Sequence, residues 1–581
     1  MKTREQIRAF DCTRDLIFSC CKFGPLPAML TAVLIAVLSF GAPRAAADCA
    51  GLTGMALKDT KITAATIVPA KGMIPEYCKV LGSIHNLPQS TILFEVSLPT
   101  TKWNGMYYVV GGGGYNGSIP NLTQALEEGY AAAGSDTGHE AKDDNWAVNN
   151  LDAQINYAYL ATHVVTQLGK EILRAFYTQH ERHSYFVGCS NGGKMALAEV
   201  QRYPDDFDAA VVGDPPTDRN NLLMEDLWDA QAVAHTPIPP SKIPVIEKAT
   251  MNACRETGGA VNGVLMTPGR CKFDPKTIIC PSGDGPTCLT AGQAQTLQKI
   301  LHGAVNSAGV SLTPGIVPGH EDDYPSFITR KDIDKPSSAS TWGLPDVFMR
   351  QFVFGLSFDP VKQFNWDTSP AAMVPLADQN NNDNPDLSAF KAHGGKLIVY
   401  HGWADHSISA LRTIEYYEDV IETMGKDRAE QNGEPNAYAV TDFMRLFMVP
   451  GMHHCANGPG PNVFGGANQG LPPQMDAQHD IVMALDRWVE DGVAPEKIVA
   501  SHLTNAVVDR TLALCPYPQV SIFNGSGDAN VAENYHCEDR TFRWAIEGMG
   551  SFRNPPKTQS LDAKRSTRHT ANSKSSPVAV K

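Results

Sequence analysis

No two cysteines in this 581-residue chain stand at the two-residue spacing of a compact zinc site. Positive charge is also short: 48 Lys and Arg face 62 Asp and Glu, for a net charge of −14. A chain of that sign has no long-range attraction for phosphate backbones or anionic lipid, so nucleic acid and anionic membranes are excluded as partners. Long apolar runs are scarce too. The mostly apolar stretch Leu26 to Phe40 falls short of the ~20 residues a membrane-spanning helix usually needs. What is present is ordinary for a globular protein: 43% hydrophobic and 19% charged residues. The length allows a sizeable core. At ~150 residues per domain it suggests three or four domains, although large α/β enzymes often exceed that figure.

Residues 1–47 are expected to be an export signal. Lys2, Arg4, Arg8, Arg14 and Lys22 form a positive leader, the apolar stretch follows, and Ala45-Ala46-Ala47 offers small residues for cleavage before Asp48. A membrane anchor is the alternative reading. Met29 is an alternative start, but it would strip the positive charge. Asp48 before Cys49 does not resemble a lipoprotein signal. The leader carries six basic and three acidic residues, so its loss takes the chain from −14 to −17. The expected product is secreted or periplasmic, with no stable membrane association.

Of 13 cysteines, Cys12, Cys20 and Cys21 lie in the leader and ten remain. An even number in an exported chain points to disulfides; scattered buried thiols or a zinc site are the alternatives. Local spacing suggests Cys254–Cys271, Cys280–Cys288 and Cys515–Cys537, with Cys49–Cys78 near the start. Cys189 and Cys455 are left over.

Strands alternate with helices from about residue 90 to 215. Ile92–Leu98, Met106–Val110, Tyr130–Ser135, Ser184–Gly188 and Ala209–Val212 read as strands. Helical patterns fall at Tyr157–Tyr177 and Gly193–Tyr203. This rhythm implies a mostly parallel sheet with both faces covered. It breaks after Pro215-Pro216. The stretch 217–388 is richer in Pro, Gly and Cys, with scattered aromatics, and ends in the polar run 379–385. The rhythm resumes with strands Lys396–Tyr400 and Met444–Val449. Ile481, Val482, Leu485, Trp488 and Val489 then share one helix face, which is packing rather than a cofactor site. The expected layout is one α/β core in two parts, 48–216 and 389–554, interrupted by a lid at 217–388. The tail at 555–581 is basic and poor in apolar residues, and disorder is expected there; a basic recognition tail is the alternative.

Gly188-Cys189-Ser190-Asn191-Gly192 fits the G-x-S-x-G turn between a strand and a helix. Such a turn lifts the serine Oγ above the sheet, its small neighbours permit strain, and the following helix N-terminus favours negative charge. A Gly-rich structural turn is the plainer alternative. A serine nucleophile needs a base, and the base needs an orienting acid. Asp405 and His454 each follow a strand end, in the chain order Ser, Asp, His. His453 is the rival base. Cys189 precedes Ser190 and Cys455 follows His454. A working Ser–His pair at roughly 3 Å would bring those cysteines near the ~4.4–6.8 Å Cα separation of a disulfide. Asn191, just after the serine, offers one N–H to an oxyanion, and the glycine run Gly111–Gly114 offers another, with Gly113 and Gly114 the candidates. A flexible loop is the alternative for that run.

These residues resemble the tannase and feruloyl esterase family, which includes mono(2-hydroxyethyl) terephthalate hydrolase. Its members pair Cys-Ser with His-Cys around an intervening Asp; here the matching residues are Cys189-Ser190, Asp405 and His454-Cys455. The glycine run, Asp136-Thr137-Gly138-His139 and the segment Gly395–Asp405 are also similar, and the resemblance spans roughly residues 48–550. It implies an α/β-hydrolase core with a large inserted lid that helps bind an aromatic acyl group. Many relatives also carry a calcium loop of three spaced aspartates just after a cysteine. In Cys254–Gly263, Arg255 and Gly258 stand where carboxylates are expected, and Asn262 stands at the third place. Calcium needs several hard oxygen ligands, so this site is expected to be weakened or absent, with no other metal and no organic cofactor required.

The function these observations imply is hydrolysis of small aromatic esters through a Ser190–His454–Asp405 triad. The alternatives are a non-catalytic binding protein on a hydrolase scaffold, or acyl transfer or peptide cleavage by the same triad. Trp403 and Ile408, flanking Asp405, are expected to touch substrate. The lid aromatics Trp228, Tyr324, Trp342, Phe348, Phe352, Phe354, Phe358 and Trp366 either line the acyl pocket or form an ordinary lid core. Arg350 either meets a free substrate carboxylate or is a surface arginine.

Overall fold

Short, mostly apolar runs build the centre of the sheet, because strands covered on both faces have no polar side to show. The computed structural model describes residues 48–330, 340–425, 436 and 438–539; the expected leader and tail lie outside them. Within these residues the strands are β1 (Thr60–Val68), β2 (Tyr77–Leu87), β3 (Ser90–Pro99), β4 (Tyr107–Val110), β5 (Ala131–Ser135), β6 (Ser184–Cys189), β7 (Ala209–Gly213), β8 (Lys396–Gly402) and β9 (Met444–Val449). They form one sheet in the order β1-β2-β3-β5-β4-β6-β7-β8-β9. Strands β5, β4, β6, β7, β8 and β9 are parallel. β1, β2 and β3 pair antiparallel at one edge and join the rest through β3–β5. Every residue of β5, β6 and β7 is buried.

Successive side chains point to opposite faces, and the two faces carry separate cores. Phe186, Val212 and Val399 pack with Val165 and Ile172 of helix Ala161–Tyr177, Leu197 of helix Asn191–Arg202 and Ile414 of helix Ala410–Met424. Tyr185, Val187, Val211 and Ile398 pack instead with Ile481, Leu485 and Trp488 of helix Ile481–Asp491. The helix Ala410–Met424 and the edge strands β1 and β2 have no counterpart in the sequence reading. The edge strands alternate between burial classes without a long apolar run, so their pattern is weak.

The chain between β7 and β8 forms the helices Arg219–His235, Ile243–Cys254 and Ala291–His302 with many short turns. It has its own packing. Val233, Ile246, Leu297 and Tyr324 form one cluster; Leu223, Leu227, Phe348 and Phe364 form another. Most of the aromatics of this insertion are thus spent on holding it together. After β9 come two antiparallel hairpins, β10 (Ile498–Thr504) with β11 (Val507–Leu514), and β12 (Gln519–Phe523) with β13 (Tyr535–Asp539). Disulfides join Cys49–Cys78, Cys189–Cys455, Cys254–Cys271, Cys280–Cys288 and Cys515–Cys537.

Candidate active site

Parallel strands end on the same side of a sheet, so the turns leaving β6, β7, β8 and β9 gather at one edge. Ser190 follows β6 and leads into the helix Asn191–Arg202. Its backbone is left-handed, with φ 61° and ψ −130°, a conformation rare for a residue with a Cβ. Close approach explains two of its glycines. A Cβ on Gly188 would lie 2.4 Å from the Gly192 carbonyl carbon, and one on Gly111 would lie 2.6 Å from the Gly192 Cα. The glycine run therefore packs directly against the turn that carries Ser190. The Ser190 N–H donates to the Gly213 carbonyl at 3.0 Å, tying the turn to β7.

Asp405 follows β8 in the turn that starts at Trp403. Its Oδ1 accepts the N–H groups of Ser407 and Ile408 at 2.8 and 2.9 Å. Its Oδ2 lies 2.8 Å from His454 Nδ1 and 3.4 Å from His401 Nε2. Burial alone would raise Asp405, but the His454 and His401 imidazoles outweigh it and hold the carboxyl well below the usual range. Burial alone would likewise lower His454, yet the Asp405 charge pushes it up to about 9. His454 follows β9, and the Cys189–Cys455 bridge, with a Cα separation of 5.8 Å, ties the residue after it to the residue before Ser190. His453 turns elsewhere: its ring faces Asp322 at 3.2 Å and Asp323 at 3.8 Å. Of the two adjacent histidines, His454 is the one on Asp405.

The amide side chain of Asn191 is fully buried behind the glycine run. Its Nδ2 donates to the Gly112 carbonyl at 3.1 Å, and its Oδ1 lies 3.0 Å from the Tyr157 hydroxyl. That hydroxyl is also 3.3 Å from the Gly114 carbonyl. Tyr157 lies in a π turn, Asn156–Leu160, just before the helix Ala161–Tyr177. Two buried cations bracket its ring: Lys194 Nζ at 4.8 Å and the Arg219 guanidinium at 5.9 Å. Among the described residues, the N–H groups of Gly113 and Gly114 donate to no carbonyl or side chain. Asp136 supports the same region from behind, with Oδ1 accepting from Leu93 and Gly138, both at 2.9 Å. His139 stacks on Trp146 at 3.7 Å, and burial pushes it down to about 4.

Several neighbours were not anticipated. Asp214, directly after β7, is fully buried; it accepts the Gly402 N–H at 2.8 Å and the Cys455 N–H. Burial pushes it up to about 6. It stands at a strand end like Ser190 and Asp405, and that placement was the signal for it. His401 lies between the two acids, 3.4 Å from Asp405 and 3.9 Å from Asp214. Phe327 faces the His454 ring at 5.7 Å. Of the lid aromatics named from the sequence, Phe352 reaches the cluster of Tyr115, Trp146 and Tyr157.

Other expected contacts fall differently. Ile408 contributes its backbone to Asp405 and His401, its carbonyl lying 3.0 Å from His401 Nε2. Trp403 lines a cavity walled by residues 255–270 and 517–523, which contains none of Ser190, Asp405 and His454. Arg350 is engaged locally, with Asp346 at 3.2 Å and the Leu356 carbonyl at 2.8 Å. The loop Cys254–Gly263 does not fit calcium. Glu256 is its single carboxylate, and the Asn262 amide is turned to Asn530 at 3.1 Å. The carbonyls of Cys254, Arg255, Glu256, Gly258 and Val261 already accept backbone N–H groups.

Comparison with known proteins shows the family. The family model "Tannase and feruloyl esterase" matches residues 78–538. An uncharacterised esterase of Xanthomonas campestris is 35% identical over 85% of this chain and 92% of its own length. Mono(2-hydroxyethyl) terephthalate hydrolase of Piscinibacter sakaiensis is 29% identical over 82% of this chain and 87% of its own. The crystal structure of feruloyl esterase B from Aspergillus oryzae superposes with a TM-score of 0.76 at 25% identity, covering 84% of this chain and 99% of that one. The chain belongs to the tannase and feruloyl esterase family of carboxylic ester hydrolases.

Proposed function

We propose that this protein is an exported serine hydrolase that cleaves esters of aromatic acids, with Ser190 as nucleophile, His454 as base and Asp405 as its orienter. The observation that carries the reading is the Cys189–Cys455 bridge, which couples the strained Ser190 turn to the histidine paired with Asp405. Ser190 Oγ attacks the ester carbonyl carbon and passes its proton to His454 Nε2. The N–H of Asn191 and that of Gly113 or Gly114 receive the developing oxyanion. His454 then protonates the departing alcohol, and a water molecule, deprotonated by the same ring, releases the acid. Phe327, Phe352 and Tyr115 near the site suit a flat acyl group, and relatives named for feruloyl and mono(2-hydroxyethyl) terephthalate esters support the same class. Five disulfides support an oxidising compartment.

A fluorophosphonate probe tests the nucleophile. One adduct per chain, mapped to Ser190, is the expected outcome; an unlabelled Ser190 would leave only the binding-protein reading. A panel of aryl and alkyl esters then tests the acyl preference.

The pH profile depends on His454. The ring must be neutral to accept the serine proton, and its charged form is favoured up to about pH 9. kcat/KM should therefore climb with pH through a midpoint near 9, well above the ordinary histidine value of 6.5, and level off about a unit higher. In Asp405→Asn the main charge favouring the imidazolium is gone, so the rising limb should move to lower pH while the plateau falls. A wild-type profile already flat at pH 7 would show that the Asp405 charge does not raise the His454 ring this far.

Tyr157→Phe removes the hydroxyl between Asn191 and Gly114. Losing that hydrogen bond should lower kcat by about 5- to 30-fold, as expected for roughly 1–2 kcal/mol, and leave KM nearly unchanged. Equal activity of the two proteins would show that the hydroxyl does not position the oxyanion donors. Calcium is not required on this reading. A chelator should leave both the unfolding midpoint and the rate unaltered, and metal analysis should find less than one tightly held calcium per chain.

A further inference from the structure

We infer a second ligand site, for a small aromatic carboxylate, in the cavity whose floor includes Trp403. The cavity has a volume of about 380 Å³, within the roughly 300–1,000 Å³ range of small-molecule sites. Its floor is Trp403 and Met448, from the turn after β8 and from edge strand β9. One wall is the loop of residues 255–270, closed at its base by Cys254–Cys271. The opposite wall runs through Tyr517 and β12 to Phe523, and Cys515–Cys537 fastens that segment to β13. Both walls are thus covalently anchored, which reduces the ordering that binding would otherwise require.

The lining selects the ligand. Trp403, Tyr517 and Phe523 offer aromatic surface, and Trp403 is itself only 6% exposed. Apolar faces of that kind take a flat ring. At the rim stand Arg255, Arg270 and one acid, Glu256, an excess of positive charge in a chain that is otherwise strongly acidic. Arg255 is exposed and, among the described residues, forms no side-chain hydrogen bond or ion pair. A guanidinium with no partner among the described residues, beside aromatic walls, suits an aryl ring with one carboxylate. Nothing here depends on Ser190 being a nucleophile, because no residue of the triad lines the cavity.

The test is calorimetric titration of the full-length protein with cinnamate, which has no ester bond, against neutral cinnamide. Cinnamate should bind wild type and Ser190→Ala alike, with cinnamide at least tenfold weaker. Arg255→Ala, an exposed and unpaired position, should weaken cinnamate about tenfold and leave ester hydrolysis unchanged. Val520→Trp, which fills the cavity from β12, should abolish cinnamate binding with the unfolding midpoint retained. Should Val520→Trp not fold, Arg255→Ala decides alone. Cinnamate affinity indifferent to Arg255→Ala, equal binding of cinnamide, or no saturable binding would overturn the proposal.

Discussion

Ser190→Ala is expected to lower kcat by about 10⁵- to 10⁶-fold on any ester the wild type hydrolyses, with KM little changed. The loss is large because every later step needs the bond that Oγ forms. His454, Asp405 and the oxyanion donors then have no covalent intermediate to act on, so His454→Ala should cost about as much, and the double variant little more. The fold should survive. The turn's shape is set by the contact of Gly188 and Gly111 with Gly192, by the N–H of Ser190 on Gly213 and by the neighbouring disulfide, none of which uses the hydroxyl. Alanine tolerates the same backbone about as well as serine does. Initial rates, with a thermal melt on the same sample, check both halves. A variant retaining a tenth of the wild-type rate would remove Ser190 from the chemistry.

Replacing Cys189 and Cys455 together by alanine should lower stability by about 2–5 kcal/mol and kcat by roughly a hundredfold. The bridge closes a span of 266 residues, so its loss frees a large part of the unfolded chain. It also sits between the two groups that must exchange a proton. Without it, His454 keeps Asp405, but the His454 segment loses its covalent link to the Ser190 turn. Asp214 still holds the Cys455 position through its backbone N–H, so displacement rather than collapse is expected. Removing Cys280–Cys288, which spans eight residues, is the control: a smaller change in unfolding midpoint and no change in rate. Equal rate losses in the two variants would mean that the active-site bridge acts through general stability alone.

Much of this site could be read locally. The turn at Ser190 needs small neighbours, a preceding strand and a following helix, all within about fifteen residues. Asp405 and His454 were legible because each follows an apolar run that can only be a buried strand. The cysteines beside Ser190 and His454 linked two of these places before any contact was visible. The observed helix Asn191–Arg202 and strands β6 and β7 lie within two residues of the sequence reading.

Other features depend on which strands become neighbours. Asp214 meets Gly402 across 188 residues and Cys455 across 241, and neither neighbourhood is marked by any periodicity. His454 was preferred over His453 because Cys455 stands directly beside it; what His453 does instead, turning to Asp322, needed the side-chain directions after β9. Tyr157 looked like the start of a helix; its hydroxyl becomes part of the site because the π turn precedes a helix packed beside the glycine run. Trp403 shows the same limit from the other side. Two residues from Asp405 in sequence, it faces a different cavity, because β8 ends at Gly402 and the chain turns between the two positions. The sequence alone therefore determined the chemistry-bearing turns, their order and the cysteines that could join them, since these are short-range patterns of size, polarity and strand ends. The tertiary structure alone decided where the rival His453 turns, which second carboxylate lies behind the triad acid and which aromatics face the site, because those are contacts between segments that the sheet order brings together.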